Sequence, residues 1–379
     1  MQYRDFGSSI DWEPSALGFG AMRLPTDEDG SVDDDRAIEM IRTAIDEGVN
    51  YVDTAWPYHD GESERVVGRA LEDGYREEVH LATKMPSWEI DSQADLDHYL
   101  DAQLDRLGVE TIDCYLLHAL GQDFWETYQA VDVFEWLEDV REAGKIDHVG
   151  FSFHDDLDLF KAIVDAYDWD FCQIQYNYLD EAFQAGREGL AYAADQGLGV
   201  IIMEPLRGGR LATDLPDPVA AAFETVETDR PPVEWALQWL WDQPEVSLVL
   251  SGMSTMAQVN ENVEIASRSG IGQFSADDRA AVEQARDRFH ELMAVDCTGC
   301  DYCMPCPTGV QIPRNFDLYN RLEMGDDPGA VVSAYDDMDT EARADACVAC
   351  GECEEACPQN LEIISLLEDA HARFEAASA

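Results

Sequence analysis

Eight short apolar or β-branched runs, each followed by an amphipathic stretch, constrain this chain more than any other feature. The runs are Leu17–Phe19, Tyr51–Ala55, Val79–Met85, Ile112–His118, His148–Phe153, Phe171–Tyr176, Val200–Met203 and Ser247–Gly252. The stretches between them predict helices such as Asp34–Glu47, Ser63–Glu72, Ala94–Leu107, Phe124–Ala143 and Pro232–Trp241. Glycine follows several of these at 48, 108, 144 and 197, where a helix C-terminus favours a left-handed residue. Strands apolar on both faces suit a parallel sheet covered by helices. Eight such units predict an α/β protein built as a closed (β/α)8 barrel. The rival, an open doubly wound sheet, carries a GxGxxG turn after an early strand; none occurs here. Residues 2–12 are expected to form a short hairpin, and a helix near Ala276–Leu292 to close the barrel region. Beyond it Cys, Pro and Gly dominate. The expected domains are therefore residues 1–290, the barrel, and 291–379, a small cysteine-rich module with helices near Asn315–Glu323 and Leu361–Phe374.

Charge excludes whole classes of partner. The 379 residues hold 24 Lys plus Arg against 80 Asp plus Glu, a net charge of −56. Phosphate neutralisation, the basis of nucleic-acid binding, is out of reach, and an anionic membrane surface would repel the chain. No apolar stretch is long enough to span a bilayer. The N-terminus lacks the basic and apolar regions of a secretory signal, so a cytoplasmic location is expected. Only Lys84, Lys145 and Lys161 are lysines. Such acidic, lysine-poor composition resembles that of halophilic archaeal proteins; at ~1 M salt the Debye length is ~3 Å, which screens the self-repulsion. The alternative is an acidic mesophilic protein.

Active residues of a (β/α)8 barrel stand at the carboxyl ends of the strands. Asp53, Lys84 and His118 each fall at such an end, and Tyr58 follows Asp53 closely. A free phenol, with a pKa near ~10, is a poor proton donor at neutral pH. An adjacent ammonium favours the phenolate. Lys84 supplies that ammonium, Asp53 orients it, and His118 donates a hydrogen bond to substrate oxygen. The set suits protonation of a carbonyl oxygen as hydride reaches carbon. The alternative for any one of these residues alone is a buried hydrogen-bonding group.

The segments VDTAWPYHDGESERVVGRAL, LATKM, DCYLLHAL, GFSFH, CQIQYN and SGMSTMAQVNENV resemble the successive barrel motifs of the aldo-keto reductases over roughly residues 1–285. The resemblance implies Tyr58 as general acid, with Asp53, Lys84 and His118 completing a tetrad. It implies NAD(P)(H) as cofactor and a small carbonyl or alcohol as substrate. Ser152 and Gln173 would then hold the nicotinamide carboxamide. The loop EPLRGGRL, with Glu204, Leu206 and Gly208, would follow the pyrophosphate. Ser254 and Thr255 would lie toward the adenosine phosphates, and Glu261 and Asn262 toward the adenine. Three departures stand out. Phe153 and His154 follow Ser152 where the family usually has Asn. Met203 replaces the stacking aromatic. Gly252 and Gln258 stand near the usual basic residues for a 2′-phosphate, which leaves NAD versus NADP open; Arg207 and Arg210 are the nearby cations. Trp56, Trp88, Phe124 and Trp125 either wall an apolar substrate pocket or pack beneath the loops.

Cys114 and Cys172 lie in apolar runs and read as core residues. The other eight form Cys297-x2-Cys300-x2-Cys303-x2-Cys306-Pro and Cys347-x2-Cys350-x2-Cys353-x3-Cys357-Pro. The second group matches the bacterial ferredoxin pattern for a [4Fe–4S] cluster, in which the fourth Cys serves the other cluster. That logic joins Cys297, Cys300 and Cys303 with Cys357, and Cys347, Cys350 and Cys353 with Cys306. Two clusters are expected; one cluster, or zinc, are the alternatives, because the first group has a shorter final gap. The whole chain resembles aldo-keto reductases that carry a ferredoxin-like C-terminal module. Two functions follow: an NAD(P)-dependent carbonyl reductase, or an iron–sulfur electron-transfer protein with the barrel as a cofactor-sensing or docking platform and a ferredoxin-like redox partner. A regulatory barrel with vestigial chemistry is a third.

Overall fold

The computed structural model of the chain describes residues 1–27 and 29–378. Every apolar run is a strand: β1 (Leu17–Gly20), β2 (Tyr51–Asp53), β3 (His80–Met85), β4 (Ile112–Leu120), β5 (Ile146–Phe153), β6 (Phe171–Gln175), β7 (Gly199–Met203) and β8 (Leu248–Gly252). Each pairs in parallel with the next, and β1 pairs with β8, so the sheet closes as expected. The helices are α1 (Asp34–Asp46), α2 (Glu62–Ala70), α3 (Gln93–Leu107), α4 (Gln122–Ala130), α5 (Val133–Glu142), α6 (Leu157–Val164), α7 (Gly186–Asp195), α8 (Asp217–Phe223), α9 (Pro232–Trp241), α10 (Met256–Ser267), α11 (Ala276–Leu292), α12 (Ile312–Glu323), α13 (Pro328–Asp336), α14 (Glu352–Glu355) and α15 (Ile363–Ser378).

Contacts group the chain into two compact units. One holds Met1–Leu206 and Val233–Phe274; the other holds Arg207–Pro232 and Ser275–Ala379. The first is the barrel. Strand residues Tyr51, Ala82, Cys114, Leu116, Phe171, Ile201, Leu248 and Leu250 form one buried cluster with Phe6 and Ile10. Residues 2–4 pair antiparallel with 14–16, through Arg4 N–H to Pro14 O (2.9 Å) and Ala16 N–H to Gln2 O (2.8 Å). The hairpin expected within 2–12 is thus wider, and its tip delivers Phe6 and Ile10 to the barrel cluster. The single helix expected over Phe124–Ala143 is two, α4 and α5, broken where Asp132 takes φ 54°. Aspartate is among the few residue types that visit this region readily. Gly108 ends α3 at φ 68°.

In the second unit α12 packs with α13 and α15 around Phe316, Leu322, Val331, Leu367 and Phe374. Tyr335 stacks on Phe374 with centroids 4.1 Å apart. The helix at Ala276–Leu292 forms with its expected bounds, and it packs on α8 inside this unit.

Gly68 sets the spacing of α2 against the end of α3. A Cβ there would sit 2.5 Å from the Leu107 carbonyl oxygen. Alanine in a helix interior normally stabilises by about 1 kcal/mol over glycine. Backbone overlap reverses that sign here: Gly68→Ala is expected to destabilise by about 1–3 kcal/mol. Denaturant titration in molar salt measures it, and a neutral or stabilised variant would contradict this packing.

Candidate active site and cysteine module

Strand register gathers four of the candidate residues at one rim. Asp53 pairs with Gly20 of β1 and Ala82 of β3; Lys84 pairs with Leu116 of β4. Tyr58 opens a short 3-10 turn after β2. In that turn His59 and Asp60 hold φ values of 52° and 54°, a conformation costing of order 1–3 kcal/mol each. His59 helps to hold it: its Nε2 accepts the Leu24 N–H at 3.0 Å, tying the turn to the loop after β1.

Lys84 is the centre of the site. Its Nζ lies 2.5 Å from Asp53 Oδ1, 2.8 Å from the Thr54 carbonyl oxygen and 3.4 Å from the Tyr58 hydroxyl. Lys84 is 1% exposed and Asp53 3%. Burial pushes the lysine pKa down, opposed by Asp53 and Glu64. Burial pushes Asp53 up, opposed by Lys84.

Glu64 was not singled out by sequence. It is fully buried in α2 and accepts hydrogen bonds from Thr83 Oγ1 (2.7 Å), Gln103 Nε2 (2.8 Å) and Arg106 Nη1 (3.0 Å). Gln103 Nε2 also donates to the Lys84 carbonyl (2.9 Å). The Arg106 guanidinium lies 3.3 Å from the centroid of the Trp56 ring, two residues before Tyr58. The sequence signal was present: Glu64 shares a helix face with Val67, Ala70 and Leu71, and a carboxylate on an apolar face requires partners.

His118 lies where β4 and β5 slip register between Leu117 and Leu120. A bulge re-aims the side chain beside it. The next residue, Ala119, takes φ 54°, and its N–H goes to Ser152 Oγ at 2.7 Å. The His118 ring meets Tyr58 edge-on at 6.0 Å and Trp88 at 5.3 Å. Burial, then the Lys84 charge and His154, push its pKa well below the usual value, so it is a neutral imidazole. Of the four aromatics, Trp88 is 39% exposed beside His118, whereas Trp125 is buried against Phe134.

Among the cofactor candidates, Ser152 pairs in register with Gln173 across β5 and β6. Ser152 Oγ accepts from Ala119, which leaves its own hydrogen to donate. Gln173 Oε1 is buried without a hydrogen-bond partner. Glu204 takes φ 52°, and Arg23 reaches it at 3.7 Å. Ser254 Oγ donates to the Arg23 carbonyl (2.8 Å). Gln258 forms a capping box with Thr255 at the start of α10. Asn262 is buried and donates to Ser251 Oγ on β8 (3.1 Å). Gly252 and Glu261 are exposed, and Leu206 is half-buried. Gly208 belongs to the second unit, as do Arg207 and Arg210, which pair there with Asp296 and Asp317.

Cys114 and Cys172 are fully buried core residues, as expected. The other eight lie in the second unit. Cys297, Cys300, Cys303 and Cys357 line one cavity with Ile312, Phe316 and Pro358. Burial pushes Cys303 up, and the charges of Cys300, Cys297 and Cys357 add to it. The Gly299 N–H points at Cys297 Sγ (3.4 Å). Cys353 is pushed up by burial and by Cys347, with Cys350 contributing. Burial also raises Cys306, but hydrogen bonds from the Thr308 hydroxyl and nearby backbone N–H groups outweigh it, and its pKa is lowered.

His154, the residue two places after Ser152, is pushed down to about 4 by burial, against a hydrogen bond from Gln184. An unfolded histidine titrates near ~6.5. Between these values the unfolded chain binds the extra proton, so stability falls as pH drops from 6.5 toward 4. This one group is expected to contribute no more than about 3 kcal/mol of that loss. His154→Phe should flatten the pH–stability curve in this window; an identical slope in both proteins would contradict a neutral His154.

Residues 16–287 match the aldo/keto reductase family, and residues 296–362 match a 4Fe-4S dicluster domain. The chain is 28% identical over 298 residues to the uncharacterized oxidoreductase YqkF of Bacillus subtilis, covering 70% of this chain and 91% of that protein. It is 28% identical over 278 residues to the NADH-specific methylglyoxal reductase of Escherichia coli, covering 62% and 83%. The holo form of the aldo-keto reductase AKR11C1 from Bacillus halodurans superposes with a TM-score of 0.63 at 27% identity, over 75% of this chain and 96% of that one. With a closed eight-stranded barrel behind these matches, the chain belongs to the aldo/keto reductase family, an oxidoreductase that also carries a C-terminal 4Fe-4S dicluster domain.

Proposed function

We propose that this protein moves hydride between NAD(P)H and a small carbonyl or alcohol, with Tyr58 as the general acid. One observation carries the reading: a single buried ammonium, Lys84 Nζ, touches both Asp53 and the Tyr58 hydroxyl. Bound reduced nicotinamide supplies the hydride. Tyr58 gives its proton to the carbonyl oxygen as charge develops there. Lys84 stabilises the phenolate that remains, and the dry setting strengthens that interaction. Asp53 holds Lys84 charged and aimed. Neutral His118 donates a hydrogen bond to the same substrate oxygen. In the alcohol direction each proton moves the opposite way.

Ser152 and Gln173 fit a carboxamide: a hydroxyl hydrogen for its oxygen and an unpartnered buried acceptor for its N–H. We assign Glu204, Leu206 and Gly208 to the pyrophosphate loop, and Gly252, Ser254, Gln258, Glu261 and Asn262 to the adenosine end. Gln258 and Asn262 already serve α10 and β8, so theirs is a framing role. The NADH-specific relative makes both nicotinamide forms worth assaying.

We read the cysteine module as holding two [4Fe–4S] clusters with crossed ligands. A mononuclear zinc site needs every sulfur about 2.3 Å from one ion. Among the described residues no three His, Cys, Asp or Glu converge in that way. A cavity ringed by Cys297, Cys300, Cys303 and Cys357 suits a larger polynuclear group. We place the domain boundary near residue 290, between the two family matches. We read the acidic surface as an adaptation to a salt-rich cytoplasm. No helix among the described residues is long and apolar enough to cross a membrane.

A second reading makes the chain an electron-transfer protein serving a ferredoxin-like partner. It is favoured by the exposure of Cys350, and of Val348 at 63%, in the second cysteine loop. Tyr58→Phe separates the two readings. Hydride chemistry predicts carbonyl turnover lowered by about 10²–10⁴-fold with nucleotide affinity unchanged. Undiminished turnover would sink that reading.

The crossed ligation has its own test in an iron count. Cys297→Ala with Cys357→Ala removes ligands of one cluster if the loops are crossed, leaving about four of about eight irons. Self-contained loops would each lose a ligand, and iron would fall toward zero.

A further inference from the structure

The turn that carries Tyr58 is built around a side chain that the hydride chemistry itself does not use. That side chain is Arg106, in the last turn of α3. Its guanidinium carbon lies 3.3 Å from the centroid of the Trp56 ring. Its Nη1 donates to the Trp56 carbonyl at 3.3 Å and to Glu64 Oε2 at 3.0 Å. On the other side of Tyr58, Gly61 holds φ 87°, and a Cβ there would sit 3.2 Å from both Nη1 and Nη2. Trp56 and Gly61 bracket Tyr58 in sequence, and both meet the same planar group. The second oxygen of Glu64, Oε1, accepts from Thr83 Oγ1 (2.7 Å) and from Gln103 Nε2 (2.8 Å). Gln103 Nε2 also reaches the Lys84 carbonyl at 2.9 Å. The strand that holds Lys84 and the turn that holds Tyr58 are thus tied to one buried carboxylate. The distance that both ties bear on is the 3.4 Å between Lys84 Nζ and the Tyr58 hydroxyl.

We propose that Arg106 is a positioning residue for the hydride chemistry: it holds the turn from Trp56 to Gly61 so that the Tyr58 hydroxyl stays within reach of Lys84. The proposal rests on the reading of Tyr58 as general acid. Arg106 acts through the turn and not on the reacting atoms. A guanidinium suits the task because its plane covers an indole while its edge donates to a carbonyl and a carboxylate. A lysine ammonium would keep the charge and lose both plane and fork. A displacement of ~1 Å at a reacting group can cost about 10²-fold in rate. A phenol that drifts from the ammonium also loses the field that favours its phenolate, so its pKa climbs toward ~10.

The test is the pH profile of carbonyl reduction in molar KCl for wild type, Arg106→Lys, Tyr58→Phe and the variant carrying both changes. Reduction needs the protonated phenol, so kcat falls as pH rises through the Tyr58 pKa. Arg106→Lys is expected to lower kcat at neutral pH by about 10–10²-fold and to move that falling limb to higher pH. KM values should change by less than about threefold, since ground-state binding is untouched. In the Tyr58→Phe background the same substitution is expected to change residual turnover by less than about twofold, because no phenol remains to be positioned. A merely structural Arg106 would lower both backgrounds by the same factor and leave the limb in place; either result overturns the proposal, as does full kcat in Arg106→Lys. Undiminished turnover in Tyr58→Phe sinks the acid reading and the proposal with it, whereas a Tyr58-dependent enzyme indifferent to Arg106 overturns the proposal alone. Should Arg106→Lys fail to fold, Trp56→Leu, which removes the ring facing the guanidinium, is expected to move the limb in the same direction, and an unmoved limb overturns the proposal.

Discussion

A charged lysine inside a barrel requires a charged partner, and much of the active mouth follows from that requirement. Lys84 and Asp53 are both almost without solvent. Breaking such a pair by removing one partner typically costs about 3–5 kcal/mol, because the other charge is left stranded. Neither side chain can therefore wander, and β2 and β3 must keep the register that sets them together. The third direction of the ammonium is left for Tyr58. Glu64 adds a second buried anion behind the same strand, and its own partners reach the turn before Tyr58: Arg106 binds Glu64 and lies over the Trp56 ring. The chain from carboxylate to guanidinium to indole is a scaffold for one phenol.

The same logic keeps the histidines neutral. Lys84 and burial together deny a proton to His118, and burial alone denies one to His154. In the proposed chemistry a neutral imidazole donates to a carbonyl oxygen without competing with Tyr58 as the acid. His118 follows Cys114 and Leu116 at two-residue intervals, so the alternation of β4 already turns it to the interior side of the barrel. Ser152 takes the Ala119 N–H that the bulge releases. One serine thus binds the backbone of β4 beside His118 while standing opposite Gln173.

Strands were legible in the sequence because a parallel sheet buried on both faces writes unbroken apolar runs. The meeting of Asp53, Tyr58, Lys84 and His118 was legible because those runs end in titratable residues. The break at Asp132 was not, since α4 and α5 share a near-continuous amphipathic pattern and only one backbone dihedral separates them. Gln258 and Thr255 show a different limit. Their three-residue spacing is a capping-box signal, and the structure uses it as one, whereas family analogy alone pointed to cofactor. Arg207 and Arg210 sit in a glycine-rich stretch whose local pattern says nothing about carboxylates about 90 to 110 residues later. Long-range ion pairs leave no periodicity. Spacing within the cysteine loops, by contrast, is local, and it named Cys357 as the companion of Cys297, Cys300 and Cys303 that the cavity lining then brought together.

Hydride transfer moves two electrons at once, while a cubane accepts one, and splitting the pair is work for a cofactor such as flavin rather than for side chains. The residue sets reflect that division. Proton donor, ammonium, carboxylate and neutral histidine all lie in the first unit, and all eight cluster-type cysteines lie in the second. Each set is gathered without the other: Asp53, Tyr58, Lys84 and His118 meet in the first unit, and Cys297, Cys300, Cys303 and Cys357 line a cavity of the second. Chain continuity joins them most directly in the stretch after β7, where Glu204 to Leu206 belong to the barrel and Arg207 begins the second unit. On the proposed assignments, a mutation in the tetrad therefore silences carbonyl chemistry while the cysteine module of the second unit keeps all its thiols.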